Sequence, residues 1–460
     1  MPRIDPPDPR PVHFIGIAGA GMRALAELFA RSGVVVTGCD ANPGVTKDLE
    51  ALGIQVIKGH DPSHLEGVRE VVVSSALPKS HPELARAREL GIPVTRRAEA
   101  LGQAVSEGKV VAIAGTHGKT TTTVMATSAL AAAGLKPTGV AGGRVAEWGG
   151  NLSFGSNELF VVEADEYDRS FLALTPDIAV VTNVEADHLD IYHDLEEIRT
   201  TFARFVSGAS VIVLCGDDAG ASSLDLPASA EIIRYGIGSP DARLVASNIR
   251  ADRQSQSFVV SYDDKAMGEV SLKVPGIHNV QNALAAIGTG FGLGVELEEM
   301  RPGLLAFGGV ERRFQHLCDV RGITIIDDYA HHPTEIAATL QAARSSYPGR
   351  RVVAAFQPHL FTRTRDFCDA FGEALCGADS IFLAEIYPAR ERPIDGVTSD
   401  LVAAAAKRSG KPVAWQGSRS DLAEALAGDV KDGDVVITIG AGDITKTGAE
   451  LKALLESRST

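Results

Sequence analysis

The 460-residue sequence predicts an α/β protein with three domains. Short runs rich in Val, Ile and Ala alternate with Ala- and Leu-rich helical stretches, as in "KVVAIAG" before "TTTTVMATSALAAAG" and "RVVAAFQ" before "RDFCDAFGEALCG". Alternation of this kind gives mainly parallel sheets that are covered by helices on both faces. The chain is also about three times as long as a typical single domain. Together these observations predict several parallel sheets in succession.

Changes in the pattern along the chain predict the domain boundaries. Residues 1–104 hold the first strand and helix units and should form a Rossmann-like domain. Residues 105–318 should form a central domain with a mainly parallel sheet. This domain contains "SQSFVVSYDDKAMGEVSLKVPG", whose polar turn predicts an antiparallel hairpin. Residues 319–460 return to alternating strands and helices and should form a second Rossmann-like α/β domain.

The composition indicates a soluble globular protein and excludes some classes of function. A net charge of −15 argues against an exposed nucleic-acid surface. No apolar run approaches the roughly 18 residues of a membrane helix, and "MPRIDPPDPRPVHF" has no hydrophobic signal segment. The five cysteines form no C-x-x-C pair and should be reduced thiols, mostly in the core. We therefore expect a cytoplasmic protein that does not insert into membranes.

A glycine-rich turn follows the first predicted strand, in "HFIGIAGAGM". Its glycines are Gly16, Gly19 and Gly21, and Asp40 ends the next strand. A strand, a glycine turn, a helix and an acid about 20 residues later are typical of a nucleotide-binding Rossmann unit. The spacing is G-x-x-G-x-G rather than G-x-G-x-x-G, so it supports an NAD-linked dehydrogenase only as a remote alternative. A pyrophosphate at the helix end and a ribose at Asp40 fit this pattern.

The stretch "GTHGKTTTT" opens the central domain. Gly115 and Gly118 let the backbone turn around phosphate oxygens, while Lys119 and Thr120 suit the β/γ-phosphates and Mg²⁺. The usual P-loop pattern asks for a glycine five residues before Gly118, where this chain has Ile113. The pattern therefore indicates a phosphate cradle, and the alternative is an ordinary turn from a strand into a helix.

Two further strands of this domain end in polar residues. The strand in "LFVVEADEYDRSF" ends at Glu163 and more carboxylates follow, and "IAVVTNVEADHLDIY" carries His188 among acids. Ligands bind at the carboxyl ends of parallel strands, and oxygen ligands suit Mg²⁺. Each segment alone is typical of a solvated acidic turn or a structural histidine. If they converge with Thr120, they form a metal site.

Taken together, "HFIGIAGAGM", "GTHGKTTTT", "EADEYDRSF", "FGGVERRFQ" and "DDYAHHPTE", in this order, closely resemble the Mur ligases of bacterial cell-wall synthesis. The similarity extends over nearly the whole chain, to "IGAGDITKTG". In this family the distant P-loop glycine is not required. The resemblance implies an N-terminal UDP-binding domain, a central P-loop ATPase domain and a C-terminal domain that binds the amino acid.

Within this family the segments are most similar to those of enzymes that join L-alanine to the lactyl carboxylate of UDP-N-acetylmuramate. The resemblance implies an acyl-phosphate intermediate, with ATP converted to ADP and phosphate. It also implies small-molecule substrates, two Mg²⁺ ions that Mn²⁺ can replace, and a monomer or homodimer. The main alternative is the recycling ligase that attaches a tripeptide, because "EADEYD" resembles that enzyme. A folate-polyglutamate ligase and a non-catalytic nucleotide switch are more remote alternatives.

The resemblance also implies roles for individual residues. Catalytic roles fall to Lys119, His188 and Arg313. Metal ligands are Thr120, Glu163 and His188. The amino acid would contact His331, His359 and Arg363. The UDP-sugar would contact Gly19, Gly21, Asp40, Ser74 and Ser75. ATP would contact Gly115, Thr116, His117, Gly118, Lys119, Thr120, Thr121, Asn279, Asn282, Arg313 and Asp328.

The chain departs from the family pattern in two places. Leu360 stands where many members have an arginine that helps to hold the alanine carboxylate, so more of that task falls to Arg363. Several sister ligases also use a carbamylated lysine just after the His188 motif to hold the second metal. Residues 189–210 of this chain contain no lysine, so we predict no carbamylation.

Overall fold

A computed structural model describes residues 8–44, 46–74, 77–78, 80–252 and 254–457. It confirms the α/β class and shows three sheets in succession along the chain, each covered by helices. Among the described residues, no helix combines the length and apolar character needed to cross a lipid bilayer. All five cysteines are free thiols, two of them buried and three half-buried.

The first sheet is a Rossmann-like parallel sheet, as predicted. Its strands are β1 (Val12–Ile15), β2 (Val36–Asp40), β3 (Gln55–Lys58), β4 (Glu70–Val73) and β5 (Val94–Arg96). Its helices are α1 (Ala20–Arg31), α2 (Lys47–Ala51), α3 (Pro82–Leu90) and α4 (Arg97–Val105). The order β3-β2-β1-β4-β5 places the glycine turn after β1 at the centre of the sheet. Helix α1 forms because apolar residues three or four apart, such as Met22, Leu25 and Leu28, all face the core.

The central sheet is larger and mainly parallel. Its strands are β6 (Lys109–Ala114), β7 (Thr138–Val145), β8 (Gly150–Ser153), β9 (Leu159–Glu163), β10 (Ile178–Val181), β11 (Val211–Cys215), β12 (Glu231–Gly236), β13 (Leu244–Ala251), β14 (Gln256–Tyr262) and β15 (Lys265–Leu272). Its helices are α5 (Lys119–Ala132), α6 (Leu195–Val206), α7 (Ala219–Ser222), α8 (Ile277–Gly292) and α9 (Leu297–Ala306). The predicted hairpin is confirmed as β14 and β15, joined by Asp263 and Asp264 at positive φ.

The order of the central strands explains where ligands can bind. It is β15-β14-β13-β12-β11-β10-β6-β9-β7-β8, so β10, β6 and β9 are parallel neighbours. Their apolar residues are buried almost without interruption because helices cover both faces. Their carboxyl ends therefore meet at one edge, where the P-loop stretch, Glu163 and the His188 segment follow them.

The third sheet completes the fold. Its strands are β16 (Gln315–Val320), β17 (Ile323–Asp328), β18 (Val352–Phe356), β19 (Ser380–Ala384), β20 (Trp415–Gly417) and β21 (Val435–Ile439). Its helices are α10 (Pro333–Ser346), α11 (Phe361–Leu375), α12 (Asp400–Arg408), α13 (Leu422–Asp429) and α14 (Thr445–Ser457). The order is β16-β17-β21-β18-β19-β20, and only β16 is antiparallel to its neighbour. The predicted boundary between residues 318 and 319 lies inside β16, so the third sheet begins earlier, at Gln315.

A glycine contact packs the first domain against the second. A Cβ added at Gly102, in α4, would lie 2.1 Å from the carbonyl oxygen of Ala173. We expect Gly102→Ala to lower the free energy of unfolding by about 1–3 kcal/mol, because backbone must move to relieve the overlap. Gly428→Ala, in α13, is the control, since no atom lies within 4 Å of its added Cβ. Equal melting temperatures for the two variants would contradict the prediction.

Candidate active site

The P-loop between β6 and α5 depends on two glycines. Gly115 has φ +140° and Gly118 has φ +80°, conformations that side-chain-bearing residues rarely adopt. An added Cβ would lie 1.9 Å from Thr182 Oγ1 at Gly115 and 2.5 Å from Asn282 Oδ1 at Gly118. The loop therefore passes close to β10 and α8 only because it lacks side chains there. This explains why Ile113, which lies inside β6, need not be glycine.

The segment after β10 fixes the shape of this loop. Asn183 Oδ1 accepts a hydrogen bond from His117 N (2.7 Å), and Thr182 Oγ1 donates one to His117 O (2.6 Å). Thr116 N donates to the carbonyl of Asn183 (3.1 Å). The loop then enters the 14-residue helix α5, whose amino end carries partial positive charge. A rigid loop before a helix amino end is suited to bind a phosphate.

Lys119 places a charge at this helix end. Its Nζ donates to the carbonyls of Gly115 (2.6 Å) and Thr116 (3.1 Å) and forms an ion pair with Glu166 at 2.8 Å. Burial by itself would lower the lysine pKa, but the charges of Glu166 and then Asp165 outweigh it and raise the pKa. The ammonium group therefore stays charged beside the loop.

Thr120 and Glu163 form the centre of the predicted metal site. Thr120 Oγ1 donates to Glu163 Oε1 at 3.0 Å, and the amide N–H of Gly142 donates to the other carboxylate oxygen. Burial raises the pKa of Glu163, and it also raises that of the neighbouring Asp165. A hydroxyl and two half-buried carboxylates are hard oxygen donors, so the donor set fits Mg²⁺.

His188 reaches the same cavity from the third strand end. It has φ +54°, and its Nε2 lies 3.6 Å from Glu166 Oε1 and 3.7 Å from Asp187 Oδ2. Although burial opposes protonation, the nearby carboxylates of Glu166 and Asp187 raise its pKa. The structure therefore brings Thr120, Glu163 and His188 into one cavity, as the convergence of the strand ends required.

A cavity of 290 Å³ lies on the nucleotide side of the P-loop. Asn279 and Asn282 are not helix caps, because Gly276 occupies the N-cap position of α8 and both asparagines are buried within the helix. Asn282 Oδ1 accepts from Thr122 Oγ1 at 3.2 Å. Eight of the predicted ATP-binding residues line the cavity: His117, Gly118, Thr120, Thr121, Asn279, Asn282, Arg313 and Asp328.

Arg313 and Asp328 bring the third domain to this cavity. Arg313 Nη1 lies 3.3 Å from Glu335 Oε1, and its guanidinium lies over the ring of Tyr329. Glu335 and Asp328 raise the arginine pKa against the effect of burial. Burial raises the pKa of Asp328 to about 6, although it accepts amide hydrogen bonds at both oxygens.

The neighbouring Arg312 has a different role. Its Nε donates to Asp327 at 3.1 Å and its Nη2 donates to the carbonyl of Gly440 at 2.6 Å. These contacts lie within the third domain, so Arg312 holds that domain together. Of the two arginines in "VERRF", Arg313 is therefore the one that lines the nucleotide cavity.

His117 is held between two carboxylates. Its Nδ1 lies 3.3 Å from Glu335 Oε1 and its Nε2 lies 3.4 Å from Glu185 Oε2. Burial alone would lower its pKa, but Glu335 and then Glu185 outweigh burial and raise the pKa to about 9. The protonated imidazole thus ties the P-loop to both the central and the third domain.

This raised pKa predicts a pH-dependent stability. The folded state binds the His117 proton more tightly than the unfolded state does, because Glu335 and Glu185 hold the protonated ring. We therefore expect protonated His117 to stabilise the fold by about 3 kcal/mol below pH 6.5. This contribution should be lost as the pH rises from 6.5 through about 9. Thermal unfolding of His117→Gln against the unmodified chain should show a difference that shrinks over that range. His193→Gln is the control, since that side chain is 90% exposed. A difference that grows with pH would contradict the assignment.

A second cavity, of 540 Å³, shares Gly118, Thr120 and Arg313 with the first. Its far wall comes from the third domain and contains the three residues predicted to bind the amino acid, together with Leu360 and Arg390. The predicted residues are His331, His359 and Arg363. Burial lowers the pKa of His331 to about 3 and that of His359 to about 4, so both rings are neutral.

Arg363 forms a buried ion pair across the domain interface. Its Nη2 lies 2.7 Å from Asp187 Oδ1, and both side chains are more than nine-tenths buried. Burial would raise the pKa of Asp187, but Arg363 and His188 outweigh it and hold the pKa well below its usual range. One edge of the guanidinium is thereby fixed, while Arg363 still lines the cavity.

A third cavity, of 340 Å³, lies between the first and central domains. Gly19, Gly21 and Ser74 line its first-domain side, as predicted for the UDP-sugar. Asp40 does not line it, because its carboxylate accepts from the amides of Ala18 (3.1 Å) and Asn42 (2.9 Å). The predicted contact Ser75 lies outside the described residues. The opposite wall contains Gly142, Glu163 and Asp165, which also line the second cavity.

Several cavity residues were missed by the sequence reasoning. Glu335 and Tyr329 stand in the quoted "DDYAHHPTE", but nothing in that pattern showed that Glu335 contacts both Arg313 and His117. Arg390, in "IYPARERPIDG", lies over the ring of Tyr167 at 4.6 Å. These pairs join segments that are far apart in sequence, and periodicity gives no signal for such contacts.

Three family models match the chain in succession. The description "Mur ligase family, catalytic domain" matches residues 11–109. The "Mur ligase middle domain" matches residues 113–290. The "Mur ligase, glutamate ligase domain" matches residues 312–442. Together they cover most of the chain, and each match corresponds to one of the three sheets.

Individual relatives agree with these family matches. A UDP-N-acetylmuramate–L-alanine ligase of Geotalea daltonii is 43% identical, over 96% of this chain and 97% of its own. The ligase of the same name from Acidothermus cellulolyticus is 46% identical, over 94% of this chain and 91% of its own. The solved UDP-N-acetylmuramate–alanine ligase of Thermotoga maritima superposes with a TM-score of 0.81 at 29% identity, covering 97% and 99%. The solved murein peptide ligase of Psychrobacter arcticus superposes with a TM-score of 0.69 at 27% identity, covering 97% of this chain and 98% of its own.

Proposed function

The chain belongs to the Mur ligase family, and on this premise we propose that it joins L-alanine to the lactyl carboxylate of UDP-N-acetylmuramate with ATP. One observation carries the assignment of substrates to sites: the three cavities meet around the P-loop and Glu163. The nucleotide and amino-acid cavities share Gly118 and Thr120, and the amino-acid and UDP-sugar cavities share Glu163 and Asp165. Three substrates can therefore bring their reacting groups to one point.

The first chemical step transfers a phosphoryl group. An oxygen of the lactyl carboxylate attacks the γ-phosphorus of ATP, the bond to the β–γ bridging oxygen breaks, and ADP leaves. We assign the extra negative charge of this step to Lys119, because its ammonium contacts two P-loop carbonyls and can exchange one of them for a phosphate oxygen. Arg313, from the third domain, lines the nucleotide cavity and also the second cavity, where Lys119 lies. The product is an acyl phosphate, whose phosphate is a far better leaving group than oxide.

The second step forms the amide. The alanine amine attacks the acyl carbon, a tetrahedral intermediate forms, and its collapse expels inorganic phosphate while the amine loses a proton. Arg363 suits the alanine carboxylate because Asp187 fixes one edge of the guanidinium, and its remaining N–H donors have no other hydrogen-bond partner among the described residues. His331 and His359 are neutral at physiological pH and add no competing charge.

The chain's own donors fit a divalent cation. Thr120 Oγ1 and the Glu163 carboxylate would hold one Mg²⁺, and His188 would help to hold a second. When bound, Mg²⁺ neutralises phosphate charge during the transfer. Mn²⁺, which accepts the same oxygen and imidazole ligands, would substitute. Glu163 and Asp165, whose pKa values are raised by burial, become better ligands when a cation replaces their lost hydration.

Activity should not depend on bicarbonate. Carbamylation needs a lysine beside the second metal, and residues 189–210 contain none. We therefore expect the same rate of phosphate release in carbonate-free buffer and in buffer with added bicarbonate, at constant pH and ionic strength. A rate that rises with bicarbonate would show that another lysine is carbamylated.

The assignment is tested by phosphate release with ATP, UDP-N-acetylmuramate and a panel of acceptors. We expect release that requires both the UDP-sugar and L-alanine, and formation of UDP-N-acetylmuramoyl-L-alanine by mass spectrometry. Preference for the tripeptide would favour the recycling ligase instead. Release without an acceptor would favour a nucleotide switch, and hydride transfer with NAD would favour a dehydrogenase.

The substrates also suggest a setting for the enzyme. ATP and UDP-sugars are cytoplasmic metabolites, so we place the reaction in the cytoplasm, among the steps that build peptidoglycan precursors.

All three cavities are formed within one chain, so a monomer can be active and a homodimer need not share a site. Sedimentation of the active protein would distinguish the two states.

A further inference from the structure

Outside the three cavities, the first domain holds a buried cluster of side chains of the types that bind zinc. Its members are His13 on β1, Cys39 on β2, His64 in the 3₁₀ segment Pro62–Leu65 and Glu83 in the first turn of α3. One ligand atom from each lies within 4.8 Å of those from the other three. Four separate elements thus bring nitrogen, sulfur and oxygen donors to one point.

The distances within the cluster are close to those of a tetrahedral site. Cys39 Sγ lies 3.3 Å from Glu83 Oε1, and His64 Nδ1 lies 2.8 Å from the same oxygen. Zinc bonds of about 2.0–2.3 Å place neighbouring ligand atoms roughly 3.3–3.8 Å apart. All four ligand atoms lie within 4.8 Å of one another, so side-chain rotations would bring them to these separations around an ion.

His13 gives an independent indication of a ligand. Its ring is fully buried in the interior of the domain. Its Nδ1 lies 2.9 Å from Thr37 Oγ1, whereas its Nε2 has no hydrogen-bond partner among the residues that the structure describes. Burial lowers the pKa of His13 to about 4, so the ring is neutral, as a metal ligand must be. A histidine with one nitrogen held by an oxygen and the other free is the usual arrangement beside a metal.

The charge of the cluster also suits a divalent cation. The Glu83 side chain is fully buried, and among the described residues it forms ion pairs with His60, His64 and His81 rather than with lysine or arginine. A carboxylate and a thiolate together carry two negative charges, which a Zn²⁺ ion would balance. A buried site without net charge avoids the large cost of burying an unpaired ion.

We propose that this cluster binds one Zn²⁺ ion through His13 Nε2, Cys39 Sγ, His64 Nδ1 and a Glu83 oxygen. Burial raises the pKa of the Cys39 thiol, so binding breaks the S–H bond, forms the Zn–S bond and releases the proton to solvent. Four protein ligands leave no open position, which makes the site structural rather than catalytic. The ion would tie the end of β2 to α3.

Two nearby histidines would contact the ligands of the ion and would not bind the ion themselves. His60 Nδ1 lies 3.2 Å from Cys39 Sγ, and His81 Nδ1 lies 3.8 Å from Glu83 Oε2. Both belong to a smaller group that shares only Glu83 with the proposed set. His60 and His81 would therefore act by contacting ligands, and their replacement should weaken binding without abolishing it.

Metal substitution tests the proposal on the full chain. Protein stripped with a chelator is reconstituted with Zn²⁺ or Co²⁺ in excess Mg²⁺, passed through a desalting column and analysed for bound metal. We expect one Zn²⁺ per chain. The Co²⁺ form should show a thiolate-to-metal band in the near ultraviolet and intense visible bands of tetrahedral cobalt. Cys39→Ser and His13→Gln should lose these bands, while the controls Cys318→Ser and His193→Gln should keep them.

The outcomes separate this site from the Mg²⁺ site. A site made by Glu163 and Thr120 has no sulfur, so it cannot give the thiolate band. Absence of the band in the unmodified chain, or its survival in Cys39→Ser, would overturn the proposal. If the cobalt bands were lost in His60→Gln but kept in His13→Gln, the proposed set of ligands would be wrong. If the variants do not fold, X-ray absorption of the unmodified zinc form decides, since one sulfur and three lighter ligands are expected.

Discussion

Lys119→Ala is expected to lower kcat by about 10³-fold or more in protein that still folds but melts at a lower temperature, because the buried Glu166 loses its cationic partner. Among the described residues that line the three cavities, Lys119 is the only lysine. Its present contacts are two P-loop carbonyls and Glu166, so removal leaves the loop backbone and its bonds to Asn183 in place. The effect should therefore fall on the chemical step.

Phosphate release measured at saturating substrates, together with a melting curve, tests this expectation. The matched control is Lys136→Ala, an exposed lysine beyond the other end of α5, which should retain full activity. Near-normal kcat in Lys119→Ala would refute the phosphate role. A loss of activity that parallels a loss of folding would instead make Lys119 a structural residue.

Arg363→Ala is expected to have the second largest effect, on both stability and alanine use. The change leaves Asp187 buried without its partner, which should lower the free energy of unfolding by about 3–5 kcal/mol. It also removes the proposed anchor of the alanine carboxylate. A lost hydrogen bond between charged groups should lower kcat/KM for alanine by about 10- to 100-fold. Leu360 supplies no second cation at this wall.

A double variant separates the two effects. In Arg363→Leu with Asp187→Asn the unpaired charge is gone, so the melting temperature should recover while the KM for alanine stays raised. Arg365→Ala, on an exposed face of the same helix, is the control and should change neither quantity. Recovery of both stability and KM in the double variant would show that Arg363 only holds the domains together.

The sequence predicted the fold class because local patterns are enough to specify it. Buried runs such as "DIAVVTNV" and the alternation of strands with helices follow from covering both faces of a parallel sheet, and the structure shows β10 and its neighbours arranged in this way. The hairpin of β14 and β15 was predicted for a similar reason, since a polar turn between two strands is a local signal. The predicted boundary at 318/319 falls within β16, which pairs with the strand that follows it.

The sequence by itself also determined which residues could carry the chemistry. "GTHGKTTTT" supplies a lysine and a hydroxyl at a helix start, and Glu163 and His188 stand after strands whose parallel register brings their ends together. Only the tertiary structure decided what each charge does. Three sets of contacts join segments that are far apart in the chain. They are the Arg363–Asp187 ion pair, the contacts of His117 with Glu185 and Glu335, and the cluster around Glu83. Such contacts depend on how domains and layers pack, and this packing leaves no periodic trace in the sequence.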